Sequence, residues 1–315
     1  MKCLVTGGCG FIGSHVIDSL LREGYEVVVI DNLSTGRLEN INHLEGNKNF
    51  EFINLDIRKK DEIEEVFSDK KFDYVFHLAA QMNVRESVKN PQNDAEINLL
   101  GLLNLLEASR KNNIKKFVFS SSGGAIYGDG VKIPTPEIEK EAPCSPYGIA
   151  KLCSEKYLFF YNKEYGLNYT ALRYANVYGP RQNPKGEAGV VSIFISKIID
   201  KENPVLNGSG NQTRDYVFVE DVVNANLLAL KKDLKGIFNI GTGKETSVNE
   251  IFRKIKSIMN ADFEEKHGPG LAGEQLRSCL SYEKIKNSCG WMPKNDLDSG
   301  LMETIDWFKK QNIYK

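Results

Sequence analysis

The stretch from residue 2 to residue 31 constrains this chain more than any other. A short apolar strand over residues 2–6 ends in Thr6 and runs into Gly7-Gly8-Cys9-Gly10-Phe11-Ile12-Gly13. An amphipathic helix follows to about Glu23, Gly24 ends it, and Val27-Val28-Val29-Ile30 form a second strand with Asp31 at its end. Strand, helix and strand at this length make a βαβ unit, which commits the chain to a parallel sheet with helices on its faces. Gly8, Gly10 and Gly13 read as G-x-G-x-x-G. Backbone without Cβ turns tightly and approaches a pyrophosphate closely, and a helix N-terminus favours negative charge. Asp31 stands eighteen residues beyond Gly13, where a carboxylate suits an adenosine ribose hydroxyl and repels a 2′-phosphate. The pattern predicts NAD rather than NADP, a preference that nearby Arg37 softens. A glycine-rich turn without a ligand is the weaker alternative.

The βαβ rhythm continues. Phe50–Leu55 reads as a third strand, followed by Asp56-Ile57 and a polar helix over about 60–69. Asp73–Ala80 is a fourth strand, near-continuously apolar as a parallel strand buried on both faces should be. Ala79 and Ala80 leave room for a cofactor or for tight helix packing, and the pattern does not choose between them. His77 lies inside the strand and reads as a core histidine. Pro91 opens a leucine-rich helix to about Asn112 that carries Asn98. Phe117–Phe119 is a fifth strand ending in Ser120-Ser121-Ser122-Gly123-Gly124, and Tyr169–Arg173 is a sixth. After residue 173 the alternation becomes irregular. Helices are expected near 189–201, 220–232, 247–259, 281–289 and 298–311, with strands over Arg214–Val219 and Phe238–Ile240. The expected architecture is α/β: a Rossmann-type, doubly wound parallel sheet over residues 1–173, rejoined by about 214–240, with a smaller, partly interwoven α/β substrate domain over 174–315.

Bulk properties exclude several classes. The 315 residues carry a net charge of −1, so no electrostatic case exists for nucleic acid or an anionic membrane. No apolar run has the length of a membrane span, and the first apolar stretch is too short for a secretory signal, so a cytoplasmic protein is expected. The six cysteines and four histidines are dispersed without metal-ligand spacing, so no metal is expected.

Tyr147 and Lys151 stand at i, i+4, on one face of a helix expected to run to about Tyr165. A neighbouring cation favours the phenolate, so the pair is suited to exchanging protons with a substrate hydroxyl. Such a pair is common on helix surfaces by chance. Its context separates it from accident: the serine cluster ends a strand and the pair follows the next loop. Both therefore face the crevice outside the strand ends, where doubly wound sheets bind ligands. The serines also suit turn and cap positions.

Taken together, these segments resemble the extended short-chain dehydrogenase/reductase family, and within it the nucleotide-sugar epimerases. Also matching are Asp31-Asn32, His77-Leu78-Ala79-Ala80, Leu172-Arg173-Tyr174-Ala175-Asn176, Arg214-Asp215-Tyr216-Val217 and Asn239-Ile240-Gly241. The resemblance implies that Gly7, Gly10, Phe11, Ile12 and Gly13 cradle the NAD pyrophosphate. It gives Asp31 and Asn32 the ribose, Asp56 and Ile57 the adenine, and Leu78, Ala79, Ala80 and Gln81 the underside of the cofactor. Asn98, Tyr147, Lys151 and Tyr174 complete the cofactor-binding set. Tyr147, Lys151 and Ser122 are the implied catalytic residues, with Lys151 depressing the Tyr147 pKa. Ser122, Tyr147, Asn176, Arg214, Tyr216, Arg277 and Ser278 are the implied substrate-binding residues. The implied reaction is 4-epimerisation of a UDP-hexose through a 4-keto sugar, by a homodimer joined through a four-helix bundle. Other nucleotide-sugar enzymes of the family, such as uronate epimerases, dehydratases or reductases, remain the alternative, with a non-catalytic NAD-binding regulator behind them.

Two departures from the family pattern carry information. Related dehydratases place acids directly after the catalytic hydroxyl, whereas Gly123 and Gly124 follow Ser122 here, which favours simple epimerisation. The same loop looks one residue longer than usual, so Ser121 competes with Ser122 for the role. The family's Arg-x-Gly-Asp/Glu segment reads Leu271-Ala272-Gly273-Glu274, so a guanidinium is missing at Leu271, with Arg277 as a possible substitute. Ser278 falls where the family gates the sugar 2-substituent, and its small side chain predicts acceptance of N-acetylated sugars.

Overall fold

A computed structural model describes residues 1–185, 189–270 and 275–313. Its centre is a seven-stranded sheet whose strands all run parallel. The first six are β1 (Lys2–Thr6), β2 (Glu26–Asp31), β3 (Phe50–Asn54), β4 (Tyr74–His77), β5 (Lys116–Ser122) and β6 (Tyr169–Tyr174), and the seventh is Gly236–Ile240. Their order is Gly236–Ile240, β6, β5, β4, β1, β2, β3. The winding reverses between β1 and β4, which creates the crevice that the sequence pattern predicts. Strands β1, β2 and β4 are almost entirely buried, as their apolar runs require, and β6 is buried throughout although it carries Arg173. Among the described residues no helix is long and apolar enough to cross a membrane.

Two glycines explain how the first loop closes. Gly7 has φ +70°, and a Cβ there would lie 2.6 Å from the Ala79 amide nitrogen, so the ends of β1 and β4 meet only because Gly7 has no side chain. A Cβ on Gly13 would fall 2.2 Å from the Gly7 carbonyl oxygen, which lets the helix Phe11–Arg22 sit directly on the loop.

Several elements differ from expectation, each for a physical reason. The fourth strand stops at His77 rather than Ala80, because the Leu78 and Ala79 amides turn back to Thr6, donating to its carbonyl at 3.1 Å and its hydroxyl at 3.3 Å. The helix expected over 91–112 contains a wide π turn at Glu96–Leu100, with Pro91–Ala95 before it and Gly101–Lys111 after it. The strand expected over Arg214–Val219 is split into Thr213–Arg214 and Tyr216–Phe218. Asp215 causes the break by turning inward. Its buried carboxylate accepts from the Thr242 amide at 2.8 Å, the Thr242 hydroxyl at 2.6 Å and the Leu280 amide at 3.2 Å. Thr213–Arg214 then pairs with Thr246–Ser247 on one side and Arg277–Ser278 on the other.

The most buried polar structure links the long helix Pro146–Tyr165 to the sheet. Glu155 is fully buried, and Arg173 of β6 is 1% exposed. Arg173 donates to Glu155 from Nε at 2.9 Å and from Nη2 at 2.6 Å. Its Nη1 reaches the Tyr127 hydroxyl at 2.8 Å, and Nη2 also reaches Glu141 at 3.0 Å. Tyr127 in turn donates to Asn239 on the seventh strand at 2.9 Å. Removing one partner of such a pair leaves an uncompensated buried charge. Arg173→Met is expected to cost about 3–5 kcal/mol of unfolding free energy. Chemical denaturation measures it, and a loss below about 1 kcal/mol would contradict this account of the pair.

Candidate active site

The C-terminal ends of β1, β2, β4 and β5 open onto one crevice. At its first wall, Gly10 is the extended N-cap of the helix Phe11–Arg22 and, as a glycine, makes no side-chain cap bond to it. The amides of Phe11, Ile12 and Gly13 belong to the first turn, whose N–H groups an α-helix leaves without intrahelical partners. Such a terminus suits a pyrophosphate. Asp31, at the end of β2, is buried, and desolvation raises its pKa. Its Oδ2 accepts from the Cys9 amide at 2.9 Å and its Oδ1 from the Leu33 amide at 2.8 Å. The carboxylate is thus oriented by the glycine loop. Asn32 donates to Asp56 at 2.9 Å, and the Arg58 guanidinium holds the Asp56 carboxyl well below the usual range. Ile57 is buried beneath this group, against Gly101. Arg37 is turned towards Asn183, donating to its Oδ1 at 2.9 Å. The residues present therefore fit a dinucleotide: a glycine cradle without room for Cβ, a helix end whose N-cap is a glycine, and a fixed carboxylate.

The second wall is the segment after β4. Leu78, Ala79 and Ala80 run along it, with Ala79 against Gly7. Gln81 is clamped by Asn98 of the π turn. Asn98 accepts from the Gln81 amide at 3.0 Å and donates to the Gln81 carbonyl at 2.9 Å and to Asp94 at 3.0 Å. Its amide group faces protein, so Asn98 shapes the crevice by holding Gln81. The Tyr174 phenol lies in the core and exchanges hydrogen bonds with Asn226.

Tyr147 and Lys151 stand at the start of the helix Pro146–Tyr165, capped by Ser145, which accepts from the Gly148 amide at 3.1 Å. Lys151 is buried. Its Nζ donates to the Ser120 carbonyl at 2.7 Å and sits 4.7 Å from the Phe119 ring centroid and 5.7 Å from that of Tyr147. The Ser122 side chain lies where it lowers the Tyr147 pKa, and it accepts from the Ala125 amide at 3.4 Å. The Ser121 hydroxyl instead donates to Glu155 at 2.6 Å. Adjacent strand residues point to opposite faces, so only Ser122 lies on the phenol's side.

The electrostatics correct one expectation. Tyr147 is not held down by Lys151. Burial pushes it up to about 12, against the lowering effect of Ser122, and the Asp94 charge adds to the rise. Lys151 is itself pushed down to about 8 by burial, partly offset by Asp94 and Glu155. Two desolvated groups each resist their charged form, which outweighs their mutual help. His77 is a core histidine, as expected, bonded to the Thr6 hydroxyl at 2.7 Å and pushed down to about 3 by burial.

On the sugar side, the split strand brings four residues into two register pairs, Asn176 with Tyr216 and Arg214 with Ser278. A Cβ on Gly124 would lie 3.6 Å from the Ser278 hydroxyl, so Ser278 sits beside the loop that follows Ser122. Arg277 is turned outward and paired with Glu245 through Nε at 2.9 Å and through Nη2. Leu271, Gly273 and Glu274 lie outside the described residues. Sequence reasoning missed Asp94 and Glu155, the carboxylates that face Lys151. A signal existed: Glu155 stands at i+4 from Lys151 and Asp94 at i−4 from Asn98, both on faces that had to be buried.

The lysine makes a linkage test available. Its folded pKa of about 8 lies below its ordinary 10.5, so between these values the unfolded chain binds more protons and stability rises with pH. Lys151→Met removes that contribution. Comparing wild type and variant by denaturation at pH 8 and pH 10.5, the wild type is expected to gain on the variant by about 3 kcal/mol. An unchanged difference would contradict the burial of the ammonium.

Comparisons with known proteins agree with this geometry. Residues 3–241 match the model of the NAD dependent epimerase/dehydratase family. A putative UDP-glucose 4-epimerase of Methanocaldococcus jannaschii is 49% identical over 98% of this chain and 99% of its own. The crystal structure of a UDP-glucose 4-epimerase from Thermotoga maritima with UDP-glucose superposes with a TM-score of 0.94 at 51% identity, covering 99% of this chain and 100% of that one. A UDP-N-acetylglucosamine 4-epimerase from Methanobrevibacter ruminantium, in complex with UDP-N-acetylmuramic acid, gives 0.93 at 38% identity, covering 98% of each chain. The match over residues 3–241 and the likeness along nearly the whole chain to these relatives show that the chain belongs to the NAD dependent epimerase/dehydratase family.

Proposed function

We propose that the chain is an NAD-dependent UDP-hexose 4-epimerase that interconverts UDP-glucose and UDP-galactose and also accepts the N-acetylated pair. The observation that carries this reading is the placement of Tyr147 between Ser122 and Lys151 at the strand ends, with no carboxylate after Ser122. Gly123 and Gly124 occupy that place. A Cβ on Gly123 would lie 2.5 Å from Leu280, so the loop is packed as glycine.

NAD, when bound, would supply a hydride acceptor and donor for the sugar C4 and the positive charge of its oxidised ring. Tyr147 takes the C4 hydroxyl proton and later returns it, and Ser122 holds that oxygen. Lys151 would hold the cofactor ribose and supplies positive charge on the same helix face as Tyr147. A phenol raised by burial needs added positive charge to act as a base near neutral pH. Arg214 offers forked donors to a diphosphate, and Asn176 and Tyr216 stand beside it on the paired strand. The 4-keto sugar must turn between the two proton transfers, so the lobe that follows β6 holds the substrate mainly by its nucleotide end.

The N-acetylated pair follows from Ser278. It is small and adjoins the loop after Ser122, and the relative from Methanobrevibacter, named for UDP-N-acetylglucosamine, shares the fold. Incubating the purified protein with UDP-glucose and with UDP-N-acetylglucosamine, without added NAD, and reading products by NMR is expected to show C4 inversion of both. Tyr147→Phe is expected to lower turnover at least about 100-fold while remaining folded. Near-normal turnover in that variant would sink the mechanism, and products confined to the non-acetylated pair would remove the Ser278 reading.

A homodimer is part of the proposal. Leu100 on one helix, with Ile149, Tyr157 and Phe160 along the next, forms an exposed apolar stripe that a four-helix bundle would cover. Sedimentation at micromolar concentration should give twice the 35.4 kDa of the chain, and a monomer would refute it.

A further inference from the structure

We propose, building on the functional reading above, that Ser121 and Glu155 are positioning residues for proton transfer: through them the buried Arg173 sets where Ser122 meets Tyr147. The argument is geometric. Ser121 and Ser122 are consecutive in β5, so their hydroxyls leave the strand on opposite faces. The outer one lies on the phenol's side and lowers its pKa, while the inner one donates to Glu155 at 2.6 Å. Glu155 lies two turns along the helix from Tyr147 and one turn from Lys151, so a single helix face carries the phenol, the ammonium and the carboxylate that holds the strand. Arg173 grips the same carboxylate with two donors, and the Lys151 ammonium holds the Ser120 carbonyl at 2.7 Å. The strand end is therefore tied to the catalytic helix at two consecutive residues, Ser120 and Ser121. Ser122 itself stands opposite Tyr174 in the β5–β6 ladder and accepts from the Ala125 amide at 3.4 Å, so the tie at Ser121 acts on the side on which the Ser122 oxygen is presented and not on the course of the backbone.

The consequence is a specific pH signature. The charged or titratable groups facing the pair are Asp94 from the helix Pro91–Ala95, His77 from β4, and Lys151 and Glu155 on its own helix. Asp94 raises the phenol's pKa, and Ser122 lowers it. Losing the tie at Ser121 lets the Ser122 oxygen drift, so a base that must be deprotonated to act works only at higher pH. A purely structural contribution would lower turnover by the same factor at every pH.

The test compares pH profiles of kcat for UDP-galactose in the wild type, Ser121→Ala, Ser121→Thr and Tyr127→Phe. Ser121→Ala leaves both Arg173 donors on Glu155, so the buried pair survives. Its acid limb is expected to move up by about one pH unit, with kcat at neutral pH down about 10- to 100-fold and KM little changed. Ser121→Thr keeps the hydroxyl and is expected to return the limb to its wild-type position. Tyr127→Phe loosens the same network beyond Arg173 and is expected to lower thermal stability without moving the limb. Coincident limbs in Ser121→Ala and wild type, or equal shifts in Ser121→Ala and Tyr127→Phe, would overturn the assignment while leaving the epimerase reading intact. A wild-type chain inactive on both UDP-hexose pairs would overturn the two together.

Discussion

A charge with no access to water organises this molecule. Glu155 is fully buried, and a carboxylate in that position is tolerated only if every acceptor it offers is matched. Arg173 matches two and Ser121 a third, and the guanidinium must then satisfy its own remaining donors at Tyr127 and Glu141. The demand propagates outward. Tyr127 reaches Asn239, and Asn239 donates to the Thr135 carbonyl at 2.9 Å. Thr135 is bonded through its backbone to Cys279 and Ser281, beside the strand that bears Ser278. One desolvated ion pair thus links the long helix, three strands of the sheet and the segment that bears Ser278. Its cost in desolvation is also a reason for specificity, because alternative packings would strand one of the charges.

Much of the fold was legible because parallel sheets leave strong marks. Strands buried on both faces need unbroken apolar runs, and β1, β2 and β4 show them, with glycine or polar residues closing each run. The glycine loop was legible for the same kind of reason. Gly7 and Gly13 stand where backbone meets backbone, and no other residue fits. The split at Asp215 was not legible. A carboxylate between Arg214 and Tyr216 looks like the polar position of an alternating strand, and only the waiting amides of Thr242 and Leu280 turn it inward. The π turn at Glu96–Leu100 was hidden too, since its cause is the reach of Asn98 across to Gln81.

For the site, residue identity was readable and residue environment was not. Tyr147, Lys151 and Ser122 came from spacing and resemblance, and they do converge. The sign of the electrostatics did not come with them. An i, i+4 cation suggests a lowered phenol pKa, but the suggestion assumes solvent. Once Phe119, Ser120 and β5 enclose both groups, burial dominates. Tyr174 and Asn98 illustrate the same limit. Their positions along the chain are near the crevice, but their polar atoms turn to Asn226 and to Gln81. Sequence names the element a residue rides on. Which way its side chain faces is decided by neighbours far away in the chain.

The seventh strand has a consequence for how the molecule comes into being. Gly236–Ile240 lies against β6, with Gly236 opposite Thr170, so more than sixty residues separate partners in one ladder. Those intervening residues include Asn176, Arg214 and Tyr216, whereas Ser278, the partner of Arg214, follows the seventh strand. During synthesis from the N-terminus, the cofactor sheet therefore waits with β6 as an open edge until residue 240 has emerged. By then Asn176, Arg214 and Tyr216 have been made, while Arg277–Ser278 has not. The order of translation thus obliges the two halves of the site to mature as one cooperative unit.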